Sequence, residues 1–299
     1  MMMRFISLFL FMLSCFFATA QNPLVSSGHI ERLNNFSSKY VDARNVDIWF
    51  PEGYNVNERY PVLYMHDGQM LFDSSNTWNH QEWKVDETVS SLIENGTIKP
   101  CIVVGIWNNG VKRNFEYFPE KALNYLPDAQ RDTLMKNMKY PMQADLYLQF
   151  LVYELKPYVD RWYSTLSSPE NTFVGGSSRG GLISMYAMCE YPQFFGGAIC
   201  ISTHWIGGIN APNELISELI LRYLKEHLPT KKTHKFYFDH GTKNLDSKYG
   251  ELQIKANKIL KKGGYRRKNL LSLVFEGKDH AEPDWSERFN IPLTFMLKK

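Results

Sequence analysis

The residues best able to do chemistry together are a serine, an acid and a histidine that occur in that order along the chain. Ser178 lies in Gly176-Ser177-Ser178-Arg179-Gly180, a match to G-x-S-x-G. A serine hydroxyl is a weak nucleophile until a neighbouring base takes its proton, and that base needs a third group to fix its tautomer. His280 is the candidate base, at the end of the turn Glu276-Gly277-Lys278-Asp279-His280. Asp246 is the candidate acid, because it lies in the turn beyond a strand rather than within it. Asp239 competes for that role, and Asp279, adjoining His280, is expected to point elsewhere. Such a trio attacks an acyl carbonyl, whose oxygen then carries negative charge and needs backbone N–H donors. The candidates for that task are the N–H groups of Gln69, in His66-Asp67-Gly68-Gln69, and of Arg179, directly after the serine.

These residues work together only if the elements carrying them end at one place. Thr172-Phe173-Val174 reads as a strand, and Leu182, Ile183, Tyr186 and Cys189 recur at helical spacing. Ser178 is therefore expected on a sharp strand-to-helix turn, where Gly176 and Gly180 avoid clashes and the helix N-terminus faces developing negative charge. His29–Ser38 and Asn45–Phe50 read as the first two strands, the second alternating as an edge strand should. Tyr60–Met65, Cys101–Ile106, Gly197–Ser202, Lys235–Phe238 and Asn269–Phe275 are short apolar runs, as buried parallel strands are. Helices are expected at Asp86–Glu94, around Leu148, Leu151, Val152, Leu155 and Val159, at Glu214–Leu228, at Tyr249–Leu260 and, closing the chain, at Trp285–Met296. The alternation predicts an α/β fold: a mostly parallel central sheet, helices on both faces, and no separate large lid domain. Parallel strands would bring Gln69, Ser178, Asp246 and His280 to one sheet edge. His204 and Trp205 follow another strand end and are expected to face substrate, although a structural hydrogen-bonding role for His204 is equally open.

Composition narrows the class. The chain has 299 residues, 44% of them hydrophobic, which suits one large α/β domain or two small ones with a sizeable core. Its formal net charge of +3 is dispersed, with only Lys231-Lys232 and Lys261-Lys262 as short basic runs, so no nucleic-acid partner is expected. Met1–Arg4, the apolar run Phe5–Phe17 and Ala18-Thr19-Ala20 read as a signal peptide, residues 1–20, cleaved before Gln21. Export to the periplasm or beyond is expected, with no stable membrane span after cleavage; Leu13-Ser14-Cys15 is a poor lipoprotein box. The remaining 21–299 is expected to form one domain with an insertion at about 108–143, either a lid or a substrate-facing segment. Cys101, Cys189 and Cys200 lie in apolar settings and read as buried hydrophobes. No metal or other cofactor is expected. His66 and Asp67 could be read as metal ligands with His80, but bracing the Gly68-Gln69 loop is the preferred role.

Tyr64-Met65-His66-Asp67-Gly68-Gln69, followed by Leu71-Phe72-Asp73, resembles a signature of the esterase D-like esterases, an α/β-hydrolase family. That group includes carbohydrate esterase family 1 feruloyl and acetyl xylan esterases and the enterobactin esterases. Trp83 to Glu87, Val104 to Ile106, Arg113 to Pro119, the elbow with Gly181, the stretch from Gly241 to Asp246, and His280 with Trp285 add to the resemblance, which spans nearly all of Asn45–Lys299. It implies serine hydrolysis of carboxylic esters, with feruloyl or acetyl groups on polysaccharides as common substrates. Arg179 departs from the pattern, which has an apolar residue after the nucleophile; its guanidinium would either pair with a carboxylate or bind an anionic substrate group. Other readings are a siderophore or other small-ester hydrolase, an acyltransferase, and a non-catalytic carbohydrate-binding protein on the same fold.

Overall fold

The structure is a computed structural model that describes residues 22–208, 213–230 and 233–299. The expected signal peptide and Lys231-Lys232 lie outside the described residues.

Eight strands form one sheet: β1 (His29–Phe36), β2 (Arg44–Phe50), β3 (Val62–His66), β4 (Ile102–Ile106), β5 (Thr172–Ser177), β6 (Gly197–Ile201), β7 (Lys235–Gly241) and β8 (Leu270–Phe275). Their order is β1-β2-β4-β3-β5-β6-β7-β8. β1 and β2 are antiparallel, as are β2 and β4; every pairing from β4 to β8 is parallel. β3, β4, β5 and β6 are buried at every residue, the burial that near-continuous apolar strands require.

Side chains leave each strand alternately to the two faces and meet separate helical layers. Val62, Tyr64, Ile102 and Val104 join a core built with the long helical stretch Ala144–Trp162, the helix Arg179–Glu190 and the helix Glu214–Glu226. Leu63, Met65 and Val103 join a second core with the helix Val85–Glu94 and the C-terminal helices. Leu148, Leu151, Val152, Leu155 and Val159 are all buried, as their spacing requires.

The closing helix is a correction. Instead of one helix over Trp285–Met296, there are two, Glu282–Ser286 and Asn290–Leu297. Pro292 has no N–H to give to the residue four before it and its ring crowds that carbonyl, so a continuous helix cannot pass through. The break lets Arg288 turn inward, where it is 3% exposed.

Residues 108–143 divide in two. Phe115, Tyr117, Phe118, Ala122, Leu123 and Leu126 are part of the first core, and Glu116 is buried against Arg44 of β2 at 2.7 Å. The helix Asp128–Lys136 beyond them buries no residue.

Because β3 to β8 run parallel, the loops after β3, β5, β6, β7 and β8 open on one edge. The chain steps from β3 to β4 on one side and from β5 to β6 on the other, so the loops after β3 and β5 flank a switch point, where ligands of open α/β sheets bind.

Candidate active site

Ser178 joins β5 to the helix Arg179–Glu190 with φ +56° and ψ −119°. A non-glycine residue there is strained by roughly 1–3 kcal/mol and persists only where its surroundings fix it. Three bonds do so: the Ser178 N–H donates to the Ile201 carbonyl (2.9 Å), and the Ser178 carbonyl accepts from Leu182 (3.1 Å) and His204 (3.1 Å). A Cβ on Gly176 would lie 3.1 Å from the Gly180 backbone, so the elbow closes only with small residues.

The loop after β3 abuts this elbow. A Cβ on Gly68 would stand 2.4 Å from the Gly105 carbonyl carbon, inside contact distance, which admits only glycine. Asp67 takes a left-handed conformation, φ +60°, and is clamped by Arg113 Nε (2.6 Å), Arg113 Nη2 (2.7 Å) and Asn108 Nδ2 (2.7 Å). Burial works to raise the Asp67 carboxyl, but the Arg113 charge and these hydrogen bonds outweigh it and hold it below the usual range. Gln69 then sits in the one-turn helix Gly68–Met70, and Arg179 opens the elbow helix. N–H groups at a helix start have no acceptor within their own helix, so both positions suit donation to a bound oxyanion. His66 bonds Tyr147 through Nδ1 (2.7 Å), and burial pushes its pKa down to about 3, so it braces the loop as a neutral group. Among the described residues, no three His, Cys, Asp or Glu side chains group to hold a metal ion.

On the far side, His280 Nδ1 lies 2.6 Å from Asp246 Oδ1. The other Asp246 oxygen accepts from Ser202 Oγ (2.6 Å) and the Gly241 N–H (2.7 Å). Burial works to raise this carboxyl as well; the bonds from His280, Ser202 and Gly241 prevail and keep it lowered. Trp285 lies edge-on to the His280 ring at 4.9 Å and donates from Nε1 to Ser202 Oγ (3.0 Å). Asp239 is engaged elsewhere, by Arg288 (3.1 Å) and the Tyr237 hydroxyl (2.7 Å), and burial leaves its carboxyl raised. Asp279 accepts from the His280 backbone N–H (2.6 Å) and from Asn244.

His204 is half-buried, with Nδ1 3.0 Å from the Tyr249 hydroxyl. Trp205 is a correction. It is 0% exposed, donates to Gln253 Oε1 (2.7 Å) and packs on Phe238, so it is a core residue with no surface for substrate. The Arg179 side chain is buried and donates to the Gly208 carbonyl (2.9 Å), tying the elbow to the loop after β6. Burial, then the nearby Arg113 charge, pushes its pKa down to about 10.

Sequence reading missed Tyr249, Ser202 and Arg288. Tyr249 bonds His204 Nδ1 through its hydroxyl at 3.0 Å and meets the His280 ring edge-on at 5.8 Å, so it packs between the loop after β6 and the candidate base. Its only sequence signal was its closeness to Asp246. Ser202 had one too, as the last residue of the expected strand Gly197–Ser202, at its carboxyl end.

A family model described as "Putative esterase" matches residues 37–250, which include Ser178 and Asp246. An endo-1,4-beta-xylanase/feruloyl esterase of Xylanibacter ruminicola is 24% identical over 205 residues, 67% of this chain and 24% of that protein. The matched stretch is 58% of another curated relative, from Bacillus subtilis, so the chain spans less than two thirds of either. Among solved structures, a ferulic acid esterase of Anaeromyces mucronatus superposes with a TM-score of 0.64 at 21% identity, covering 92% of each chain. The enterobactin esterase of Shigella flexneri superposes with a TM-score of 0.65 at 18% identity, covering 92% of this chain and 60% of that one. At these identities the structural likeness establishes the fold, that of the α/β-hydrolases. With the family model matching well over half of its length, the chain belongs to the "Putative esterase" family.

Proposed function

We propose that the protein is an exported serine carboxylic-ester hydrolase working through Ser178, His280 and Asp246. The observation that carries this reading is the 2.6 Å contact between Asp246 and His280 Nδ1, formed beside a serine held at φ +56° on a strand-to-helix elbow. An ionised Asp246 keeps the proton on Nδ1 and leaves Nε2 as the base. Nε2 takes the Ser178 proton as Oγ bonds to the ester carbonyl carbon. The carbonyl oxygen becomes negative and accepts hydrogen bonds from the backbone N–H groups of Gln69 and Arg179. Collapse breaks the ester C–O bond, and His280 gives its proton to the leaving alcohol. Water, deprotonated by the same nitrogen, then releases the acid and restores Ser178.

The substrate class we infer is acylated carbohydrate, carrying acetyl or feruloyl groups. The relationship to a xylanase/feruloyl esterase supports it, as does the fold shared with a ferulic acid esterase. Export to the periplasm or beyond rests on reading residues 1–20 as a signal peptide. Hydrolysis of a siderophore ester is the second reading, favoured by the fold shared with an enterobactin esterase.

Ser178→Ala is expected to lower kcat for p-nitrophenyl acetate by roughly 10⁴-fold or more. A variant as active as the wild type would remove Ser178 from the mechanism. A panel of acetyl, feruloyl and longer-chain esters, run with and without a sugar acceptor, separates the substrate classes and distinguishes free acid from transferred acyl product.

A further inference from the structure

Of the seven tryptophans, all but Trp78 are tied into the protein. Trp49, Trp83, Trp205 and Trp285 are buried, Trp107 donates to Asp47 Oδ2 (2.7 Å), and Trp162 packs beside Tyr158 and Arg161. Trp78 is 83% exposed, and among the described residues its indole has no hydrogen-bond, ring or cation partner. So large an apolar ring left in water stabilises nothing in the folded chain. Its backbone is held all the same. The His80 N–H donates to the Thr77 carbonyl (3.3 Å), closing a turn that carries Trp78 at its tip. Thr77 is buried and donates from Oγ1 to the Ser74 carbonyl (3.0 Å). Just before the turn, Asp73 accepts from the Ser75 N–H (2.9 Å), Asn76 Nδ2 (2.6 Å) and the Leu24 N–H (2.9 Å).

The same segment is anchored on the loop that carries His280. Asn79 Nδ2 donates to Glu282 Oε2 (3.1 Å), two residues beyond His280. Trp83 packs on Trp285 at 5.4 Å, and Trp285 meets the His280 ring at 4.9 Å. Trp78 therefore stands on the rim of the site, next to a residue that grips the loop of the candidate base. His280 must reach the alcohol oxygen to protonate it, so the leaving group lies on the His280 side. In an acylated carbohydrate that leaving group is a sugar. A sugar ring presents a face of C–H groups, whose slight positive charge suits the negative face of an indole. Its hydroxyls need polar partners, and the exposed Asn76 and His80 lie within two residues of Trp78. We propose that Trp78 is the platform on which the sugar of the leaving alcohol stacks, a specificity-determining residue for the carbohydrate rather than for the acyl group. The proposal rests on the acylated-carbohydrate reading above. Because the turn is braced before substrate arrives, little backbone ordering is lost on binding.

Esters that share an acyl group and differ in the alcohol separate the two sides of the site. Methyl ferulate is compared with a feruloyl arabinoxylan oligosaccharide, and methyl acetate with an acetyl xylo-oligosaccharide; methanol is too small to stack. In Trp78→Ala, kcat/KM on the sugar ester should fall about tenfold relative to the matching methyl ester. The loss should appear in KM with kcat kept, because stacking is as strong in the ground state as in the transition state. Trp78→Phe, which keeps a flat ring, should recover most of it. The melting temperature of both variants should stay within about 2 °C of wild type, since the indole has no partner to lose. A Trp78→Ala ratio within about twofold of wild type would overturn the proposal. So would an equal loss on both esters, which would put the ring against the acyl group, or a wild-type dimer in sedimentation that Trp78→Ala dissociates. Wild-type protein that cleaves the methyl esters but neither sugar ester would instead overturn the carbohydrate reading on which the proposal rests.

Discussion

Asp239 and Asp246 lie on the same strand-and-turn stretch, and their partners set them to different tasks. Asp246 faces His280 and is satisfied by Ser202 and Gly241, whereas Asp239 neutralises the buried guanidinium of Arg288. Asp246→Asn keeps the size but offers an amide to an imidazole that needs a carboxylate, which favours the wrong tautomer. Its kcat is expected to fall about 10³–10⁴-fold, with little change in stability. Asp239→Asn should do the reverse. Leaving Arg288 with a weakened partner in the core should cost about 3 kcal/mol of unfolding free energy, read from urea titrations, with a smaller loss of kcat. Sequence alone left both acids open, because each follows the same apolar run; only the side-chain geometry after β7 separates them. Arg288 gave no signal, since an arginine in an apparent helix reads as solvent-facing.

At the scale of elements, the site is made by two turns pressed together, the loop after β3 and the elbow after β5. The left-handed Asp67, clamped by Arg113 and Asn108, aims the first; the two elbow glycines close the second. Gly68→Ala would drive a methyl group into the Gly105–Ile106 backbone of β4. We expect the loop to shift and the Gln69 N–H to leave its place. Losing one such donor costs about 10²–10³ in kcat, measurable as a fall in kcat on p-nitrophenyl acetate in a variant that still unfolds cooperatively. The central strands were legible because strands covered on both faces must be short apolar runs, and Tyr60–Met65 and Cys101–Ile106 are little else. The closing helix misled because the apolar spacing of Trp285, Phe289, Leu293 and Met296 continues across a break in the backbone. Pro292 was the signal for that break. Trp205 misled because proximity to a strand's carboxyl end says nothing about which way a side chain turns.

For the whole molecule, buried neutral histidines make stability depend on pH. His66 titrates near 6.5 in the unfolded chain but at about 3 when folded, so between those values the unfolded state binds the extra proton. Stability is complete above about 6.5 and is lost as the pH falls toward 3, by about 2 kcal/mol for this one group between pH 7 and pH 5. The lowered carboxyls of Asp67 and Asp246 act in the same direction at lower pH, below their unfolded values near 3.8. Urea unfolding of the wild type should show that loss, and His66→Gln should flatten it; equal slopes for the two proteins would contradict the assignment of His66. The order of Ser178, Asp246 and His280 was legible because parallel strands send all their loops to one edge. The Tyr249–His204 link was not, since its residues come from two loops and no spacing rule joins them. The central claim, that one serine on that edge carries the chemistry, is tested most directly by titrating the purified protein with a fluorophosphonate and locating the adduct by tandem mass spectrometry. The expected result is one label per chain, on Ser178, with ester hydrolysis falling in proportion to labelling; full hydrolysis by labelled protein, or a label at another residue that alone abolishes it, would contradict the account.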